Sequence, residues 1–195
     1  MMFNEDNDNK NISGSPMPGV GSVVMDMQET LLKVIEKEEE LRLSTVLQVN
    51  IFNALSIPIC ITEQVPEKLG STIAEITIQC PDAPIFSKNT FSAFGSSSFR
   101  NWIHSMEISH LIVSGIEVPI CIYQTCVDAL KNDIKVTIVS DCVGARREND
   151  AQTIIAQLQS FGCCTIPLET IAYSLLRDSN HQEFKLISKL IRERI

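Results

Sequence analysis

Short apolar runs alternate with longer amphipathic stretches along most of the chain, and this pattern predicts strands that alternate with helices. In the first half, an amphipathic stretch runs from Gln28 to Ala54, and a helix opened by a serine cluster covers Ser97–Ser105. The segment from Glu63 to Pro84 is rich in Pro, Gly and Thr and is predicted to be irregular. The predicted strands of this half are Ser22–Asp26, Ile57–Thr62 and Ile85–Lys88.

The second half of the chain is more regular. Strands that are separated by helices of about 10–15 residues indicate βαβ units and a parallel sheet, and ligands of such sheets bind beyond the carboxyl ends of the strands. The predicted strands are His110–Gly115, Lys135–Asp141 and Cys163–Ile166; the predicted helices are Ile120–Asn132, Asn149–Phe161, Leu168–Asp178 and Gln182–Arg194. The last helix repeats apolar residues at helical spacing, namely Phe184, Ile187, Leu190 and Ile191.

Length and composition favour one folded domain. The chain has 195 residues, of which 44% are hydrophobic and 21% charged, an ordinary globular balance. Residues 1–19 are polar and punctuated by Pro and Gly, so we predict a flexible N-terminal tail followed by a domain over residues 20–195. The formal net charge of −8 repels phosphate backbones, and no basic stripe offsets it, so we expect no nucleic-acid partner.

Targeting and membrane signals are weak in this sequence. The longest apolar runs are too short to cross a bilayer, so we expect no membrane association. The Asn- and Asp-rich start lacks the basic and apolar regions of a secretory signal, and it is more acidic than a typical transit peptide. A cytoplasmic location is the simplest expectation, with mitochondrial residence left open.

Cysteine and histidine usage argues against disulfides and metal sites. The seven cysteines are odd in number, irregularly spaced and placed mostly in apolar runs, which is typical of free thiols in a reducing compartment. No two cysteines have Cys-x-x-Cys spacing, and the three histidines lie far apart in the sequence. We therefore expect no metal and no cofactor.

Three residues at predicted strand ends could form a hydrolytic site. Asp26 is a candidate base, Lys88 a candidate cation and Cys121 a candidate nucleophile, which together suffice for acyl transfer without histidine. Since Cys121 opens a predicted helix, we expect its pKa to lie below that of a free thiol, and the same helix start could hold an oxyanion. The alternatives are a helix cap for Asp26, a solvated loop lysine for Lys88 and a small buried residue for Cys121.

Four blocks of the chain resemble the signature blocks of the isochorismatase-like cysteine hydrolases, in the same order. Within that superfamily the chain is most similar to the branch of isochorismatase domain-containing proteins. The resemblance runs from about Gly21 to Ile191 and includes the tail His181–Ile191. The four blocks are Val23-Val-Met-Asp-Met-Gln-Glu29, Ile61-Thr-Glu-Gln-Val-Pro-Glu-Lys-Leu-Gly70, Phe86-Ser-Lys-Asn-Thr-Phe-Ser92 and Gly115-Ile-Glu-Val-Pro-Ile-Cys-Ile-Tyr-Gln-Thr125.

The resemblance implies a fold and a set of roles. The fold is α/β, with three α-β-α layers and a six-stranded parallel sheet of order 3-2-1-4-5-6. Cys121 aligns with the family nucleophile, Asp26 with its base and Lys88 with the cation between them. A non-proline cis peptide is implied at Ile116–Glu117, where it would turn the backbone N–H groups of Glu117 and Cys121 into an oxyanion hole.

Three further residues are weaker candidates for the substrate site. Gln28 could orient Asp26 or the substrate, or it could be a solvated residue at a helix start. Glu63 and Gln64 could line the mouth of the site, although we favour a role in anchoring the loop. The branch usually has an aromatic residue at the position of Leu31 and Tyr at that of Val65, so the substrate of a relative cannot be transferred to this chain.

The function expected from these features is hydrolysis of a small amide or related acyl compound through a thioester. The segment Glu63–Thr72 lacks the histidines with which the nicotinamidase branch binds metal. The alternative is a catalytically weak binding or scaffold protein of the same fold, or a relative of proteins that carry a ribonuclease label. Members of the resembled family commonly form oligomers, and the C-terminal helix has an apolar face, so we expect a homo-oligomer, a dimer or larger.

Overall fold

The computed structural model describes residues 17–194 and contains one six-stranded parallel sheet. The strands are β1 (Val20–Met25), β2 (Ile59–Gln64), β3 (Ile85–Lys88), β4 (His110–Ile116), β5 (Lys135–Gly144) and β6 (Cys164–Ile166). Their order in the sheet is β3-β2-β1-β4-β5-β6, and this order and the parallel pairing confirm the predicted fold class. Because the order reverses between β1 and β4, the carboxyl ends of these two strands border a crevice, the usual place for a ligand.

Helices cover both faces of this sheet. A 3₁₀ turn at Ala93–Gly95 precedes the helix that begins at Ser97, and a π-helical turn at Val118–Ile122 precedes the helix that begins at Tyr123. The helices of the described part are α1 (Glu29–Leu32), α2 (Glu38–Ala54), α3 (Pro66–Leu69), α4 (Ala74–Thr77), α5 (Ser97–Ser105), α6 (Tyr123–Lys131), α7 (Glu148–Ser160), α8 (Leu168–Leu176) and α9 (Phe184–Arg192).

Two apolar cores result, one on each face of the sheet. Every residue of β1 and β2 is buried, because a parallel sheet between two helical layers has no solvated face. On one face, Val24 belongs to a core that includes Phe52 of α2 and Ile171 of α8. On the other face, Val23 belongs to a core with Phe99 of α5. The site residues lie at the carboxyl ends of strands that are packed between these two cores.

The stretch predicted as one amphipathic segment, Gln28–Ala54, is divided into α1 and α2. Lys37 adopts a left-handed conformation (φ 55°), which breaks the helix between them. The neighbouring backbone N–H of Glu36 donates to the carbonyl of Ala145 at 3.0 Å. Because Ala145 is far from Glu36 in the sequence, the local periodicity of apolar residues could not indicate this break.

Two other segments differ from their predictions. The segment Glu63–Pro84, predicted to be irregular, contains β2's last two residues and the short helices α3 and α4. The helix predicted from Ile120 begins with the π-helical turn, and regular α-helix starts only at Tyr123. Pro119 near the start of that turn has no N–H to donate, which favours an irregular first turn.

The predicted N-terminal tail falls largely outside the described residues, since only Met17–Gly19 of the interval 1–19 are described. Gly19 leads into β1, and its carbonyl accepts hydrogen bonds from the N–H groups of Ser109 (2.8 Å) and His110 (2.9 Å). Across residues 17–194 the structure contains no helix with both the length and the apolar character needed to span a bilayer.

Candidate functional site

The carboxyl ends of four adjacent strands bring the predicted triad together. Asp26 follows β1 directly, Lys88 is the last residue of β3, and Cys121 lies in the π-helical turn after β4. The parallel register places Met25 beside Gly115 of β4, and Gln64 of β2 beside Lys88. Three side chains that are widely separated in the sequence thus converge at one edge of the sheet.

Gly115 allows β1 and β4 to approach closely at this edge. Its φ is +99°, and a Cβ added there would lie 2.1 Å from the carbonyl oxygen of Met25. A side chain would therefore collide with backbone, and this contact cannot relax by a change of rotamer. Glycine at this position keeps Asp26, the next residue after Met25, close to the turn that carries Cys121.

Asp26 is fully buried, and both oxygens of its carboxylate accept hydrogen bonds. It adopts a left-handed conformation (φ 54°), and its N–H donates to the carbonyl of Thr62 at 2.9 Å. One carboxylate oxygen accepts from the Thr62 hydroxyl at 2.8 Å, and the other accepts from the Lys88 ammonium at 2.7 Å. Because both oxygens of the Asp26 carboxylate accept hydrogen bonds from other side chains, Asp26 is not simply a helix cap.

Lys88 is equally buried and completes the cluster. Its side chain and that of Asp26 are each 1% exposed. The ammonium group also donates to the side-chain oxygen of Gln64 at 2.6 Å and to the carbonyl of Thr90 at 3.4 Å, and it lies 3.7 Å from the sulfur of Cys121. A buried ammonium requires such partners, and the solvated alternative for Lys88 is wrong.

The pKa of Cys121 is raised to about 12, opposite to the lowered value expected from its place near a helix start. Burial is the largest cause, because the sulfur is removed from water, and the negative charge of Asp26 acts in the same direction. The charge of Lys88 and a hydrogen bond from the N–H of Glu117 lower the pKa, but less strongly. Such a thiol is neutral near pH 7, and a neutral thiol becomes a good nucleophile only after a base has taken its proton.

Asp26 is the carboxylate that contacts this thiol. A side-chain hydrogen bond joins Cys121 to Asp26, and it contributes to the raised pKa because it favours the protonated sulfur. The peptide bond between Ile116 and Glu117 is cis, and the Glu117 N–H points at the Cys121 sulfur. Cys121 is thus in contact with both the Asp26 carboxylate and a backbone donor.

The three weaker candidates lie around the triad, and each has a partner. Gln28 is fully buried, and its amide exchanges hydrogen bonds with the backbone of Gln64 (3.0 and 2.8 Å), so it joins the ends of β1 and β2. It is not a solvated residue. Glu63 accepts from the N–H of Thr72 at 2.7 Å, the loop-anchoring role that the sequence favoured. Gln64 holds the Lys88 ammonium.

Thr62 is a site residue that the sequence analysis missed. It is the last residue of the predicted strand Ile57–Thr62, and threonine is a common strand residue, so its identity carried no signal of a role in the site. Only the pairing of Met25 with Thr62 across β1 and β2 reveals that its hydroxyl reaches Asp26.

The described residues contain no group of three or more His, Cys, Asp or Glu side chains placed to hold a metal ion. All seven cysteines lie in that part of the chain, and all are free thiols, as their spacing predicts. Apart from Cys121, those with strongly raised pKa values are Cys60, Cys126 and Cys142, which owe them mainly to burial or to contact with another thiol.

Comparison with known proteins gives a consistent picture. The family model described as "Isochorismatase domain" matches residues 21–170. Isochorismatase domain-containing protein 2 from Danio rerio is 30% identical over 174 residues, covering 88% of this chain and 87% of the relative. The structure of MAR1 Ribonuclease from Caenorhabditis elegans superimposes with a TM-score of 0.85 at 28% identity, over 90% of each chain.

The YcaC protein of Escherichia coli, described as an octameric hydrolase of unknown specificity, has the same fold. Its TM-score is 0.86 at 18% identity, over 96% of this chain and 93% of that one. The matched segment of the family model includes Asp26, Lys88 and Cys121.

Proposed function

Because this chain belongs to the isochorismatase domain family of hydrolases, we propose that it is a cysteine hydrolase of a small amide or related acyl compound. The observation that carries the proposal is the buried carboxylate of Asp26, which contacts both the Lys88 ammonium and the Cys121 thiol. A thiol, a base and a cation in contact are the parts that acyl transfer requires.

In the first step, Asp26 accepts the proton of the Cys121 thiol while the sulfur bonds to the substrate carbonyl carbon. The carbonyl oxygen becomes an oxyanion, for which the N–H groups of Glu117 and Cys121 are the proposed donors. Loss of one such donor costs about 10²–10³-fold in rate in comparable sites. The Glu117 N–H already donates to the attacking sulfur, so it lies near the position where the oxyanion forms.

In the second step, protonated Asp26 gives its proton to the leaving amine as the carbon–nitrogen bond breaks, which leaves a thioester on Cys121. Water then attacks the thioester carbonyl and transfers a proton to Asp26. When the carbon–sulfur bond breaks, that proton returns to the Cys121 sulfur and the acid is released. Asp26 therefore moves one proton in each half of the reaction and ends as it began.

Lys88 and Thr62 hold the base in its working state. Lys88 compensates the charge of the buried Asp26 carboxylate, and its 3.7 Å distance from Cys121 lets it stabilise the thiolate as well. The Thr62 hydroxyl occupies the remaining carboxylate oxygen and fixes its rotamer.

A screen of small amides, with release of ammonia or amine as the readout, tests this proposal. Wild type and Cys164→Ala, which removes a thiol remote from Asp26, should hydrolyse the same substrates, and Cys121→Ala should not. Intact-mass analysis of rapidly quenched wild type should show the acyl adduct, mapped to Cys121. Hydrolysis that survives in Cys121→Ala would overturn the proposal.

A binding or scaffold protein of the same fold is the alternative function. It predicts that small acyl compounds bind, that no adduct forms on Cys121 and that no amine is released. Isothermal calorimetry on the hits of the same screen separates binding from turnover.

Ribonuclease activity is a second candidate, favoured by the name of the Caenorhabditis elegans neighbour. The formal charge of −8 opposes binding to RNA, so we rank it lower. Incubation of wild type and Asp26→Asn with a labelled single-stranded RNA decides this point, because cleavage that requires Asp26 would place RNA in the same site.

We also propose that the protein is a cytoplasmic homo-oligomer. The octameric Escherichia coli protein supports assembly of this fold, and seven free thiols support a reducing compartment. Light scattering after size-exclusion chromatography tests the assembly, for which a monomer at micromolar concentration is the contrary result. Immunofluorescence of the tagged chain tests the compartment.

A further inference from the structure

Glu117 contributes its backbone N–H to the proposed oxyanion hole, and its side chain is held by Arg146. The Nε of Arg146 lies 3.1 Å from each carboxylate oxygen of Glu117. The backbone N–H of Arg146 also donates to one of these oxygens, at 3.3 Å. The Glu117 side chain is 16% exposed, so the carboxylate is mostly withdrawn from water and depends on these donors.

These contacts join two segments that meet at the site. Glu117 is the residue between β4 and the π-helical turn that carries Cys121, and Arg146 lies between the end of β5 and the start of α7. The two strands are paired up to Ile116 and Gly144, so the contact extends the sheet pairing beyond the last backbone pair. The position of the Glu117 backbone is thereby tied to the neighbouring loop.

We propose that Arg146 is a positioning residue for this hydrolase. Its hydrogen bonds to the Glu117 carboxylate fix the position of the Glu117 N–H relative to the Cys121 sulfur and the oxyanion that forms during the reaction. The inference rests on the proposed function, because it assigns Arg146 a part in that same site. Arg146 does not touch the reacting atoms; it acts through Glu117.

Loss of the ion pair between Arg146 and Glu117 should affect catalysis more than folding. The Arg146 side chain is 52% exposed, and ion pairs at such sites contribute little to stability. Loss of the pair should therefore leave folding nearly unchanged. A donor that is displaced by a fraction of an ångström, however, stabilises an oxyanion poorly, since catalysis depends on donors fixed in advance.

Arg147 provides a matched control in the next position. Its guanidinium pairs with Asp150 at 2.6 Å, three residues along the same segment, and does not contact Glu117 in the described structure. Arg147→Met removes the same charge and the same ion-pair type as Arg146→Met. A difference between the two variants therefore reports the contact with Glu117 and not the loss of a positive charge.

The experiment compares wild type, Arg146→Met, Arg146→Lys and Arg147→Met in hydrolysis of a substrate found by the amide screen. We expect kcat to fall about tenfold in Arg146→Met with KM nearly unchanged, less than the 10²–10³-fold loss of a whole donor. Arg146→Lys should recover part of the rate, and Arg147→Met should match wild type. Alkylation of Cys121 by iodoacetamide at pH 8 should also slow in Arg146→Met, because the N–H contact that lowers the thiol pKa is weakened.

A double-mutant cycle with Glu117→Gln tests the route of the effect. If Arg146 acts through the carboxylate, Arg146→Met should have little further effect in the Glu117→Gln background. Equal kcat values for Arg146→Met and Arg147→Met, with equal alkylation rates, would overturn the inference while hydrolysis by wild type still stands. If wild type itself neither hydrolyses an amide nor forms an adduct, the proposed function fails instead.

Discussion

Lys88 and Asp26 form an ion pair of 2.7 Å between side chains that are each 1% exposed, although they are 62 positions apart in the sequence. Burial of two charges is costly, and an ion pair in the interior repays it only when further hydrogen bonds satisfy both groups. Here Thr62 and Gln64 supply them. The pair is placed where its charges bear on the thiol of Cys121, and the first two predictions concern these charges.

Asp26→Asn should separate thiol reactivity from turnover. The charge of Asp26 and its hydrogen bond raise the pKa of Cys121, so their removal should lower that pKa and speed alkylation at pH 8. Hydrolysis should instead fall about 10²–10⁴-fold, because no group remains to protonate the leaving amine. Rates of iodoacetamide labelling and of amine release check this. Parallel loss of both rates would show that Asp26 is structural only.

Lys88→Met should act on the thiol with the opposite sign. The charge of Lys88 lowers the pKa of Cys121, so without it the pKa rises and alkylation at pH 8 slows. Turnover should fall at neutral pH, and the optimum of the remaining activity should move to higher pH. Removing one partner of a buried pair should also cost about 3–5 kcal/mol of unfolding free energy, measured by urea denaturation.

The exposed Lys68, outside the cluster, serves as the control for that variant. Lys68→Met should keep wild-type alkylation, turnover and stability. If Lys88→Met behaved as Lys68→Met does, the buried cluster would not exist in solution.

Gly115→Ala should disrupt the site, and Gly70→Ala should be tolerated. Both glycines have positive φ, but a Cβ at Gly70 meets nothing within 4 Å, whereas one at Gly115 would strike the backbone of Met25. Gly70 has φ 81° and ψ 177°, a conformation that side chains rarely adopt, so we expect a loss of about 1–3 kcal/mol there from conformation alone. At Gly115 the loss should exceed about 3 kcal/mol, and thermal unfolding of both variants measures the difference. Equal effects would contradict the close approach of β1 and β4.

Stability should decrease between about pH 6.5 and pH 4 because of His110. Burial, together with the charge of Lys135, lowers the pKa of His110 to about 4 in the folded state. As the pH falls below the ordinary value of about 6.5, the unfolded chain takes up a proton that the folded chain does not, so folding is disfavoured. The effect is at most about 3 kcal/mol for this residue.

Urea denaturation at pH 7.5 and pH 4.5 measures this dependence. In His110→Gln, which can still bond the hydroxyl of Thr137, the decrease should be smaller than in wild type. The exposed His104 is the control, and His104→Gln should follow wild type. An unchanged pH dependence in His110→Gln would contradict a neutral, buried His110.

The sequence by itself determined the alternation of strands and helices, because side-chain periodicity of two or 3.6 residues is a local property of the chain. It also placed Asp26 and Lys88 at strand ends and Cys121 in the turn after a strand, and resemblance supplied the strand order. The missed helix break at Lys37 and the missed Thr62 have one cause: each depends on a partner distant in sequence.

Only the tertiary structure decided the electrostatics of the site. The expected low pKa of Cys121 followed from its position near a helix start, a local argument. In the fold, burial of the sulfur and the adjacent Asp26 carboxylate outweigh Lys88 and the backbone donor, so the pKa is raised. Desolvation depends on how far water is excluded from a group, and Coulomb interaction depends on the distance between charges. Both are set only when folding brings the strand ends together.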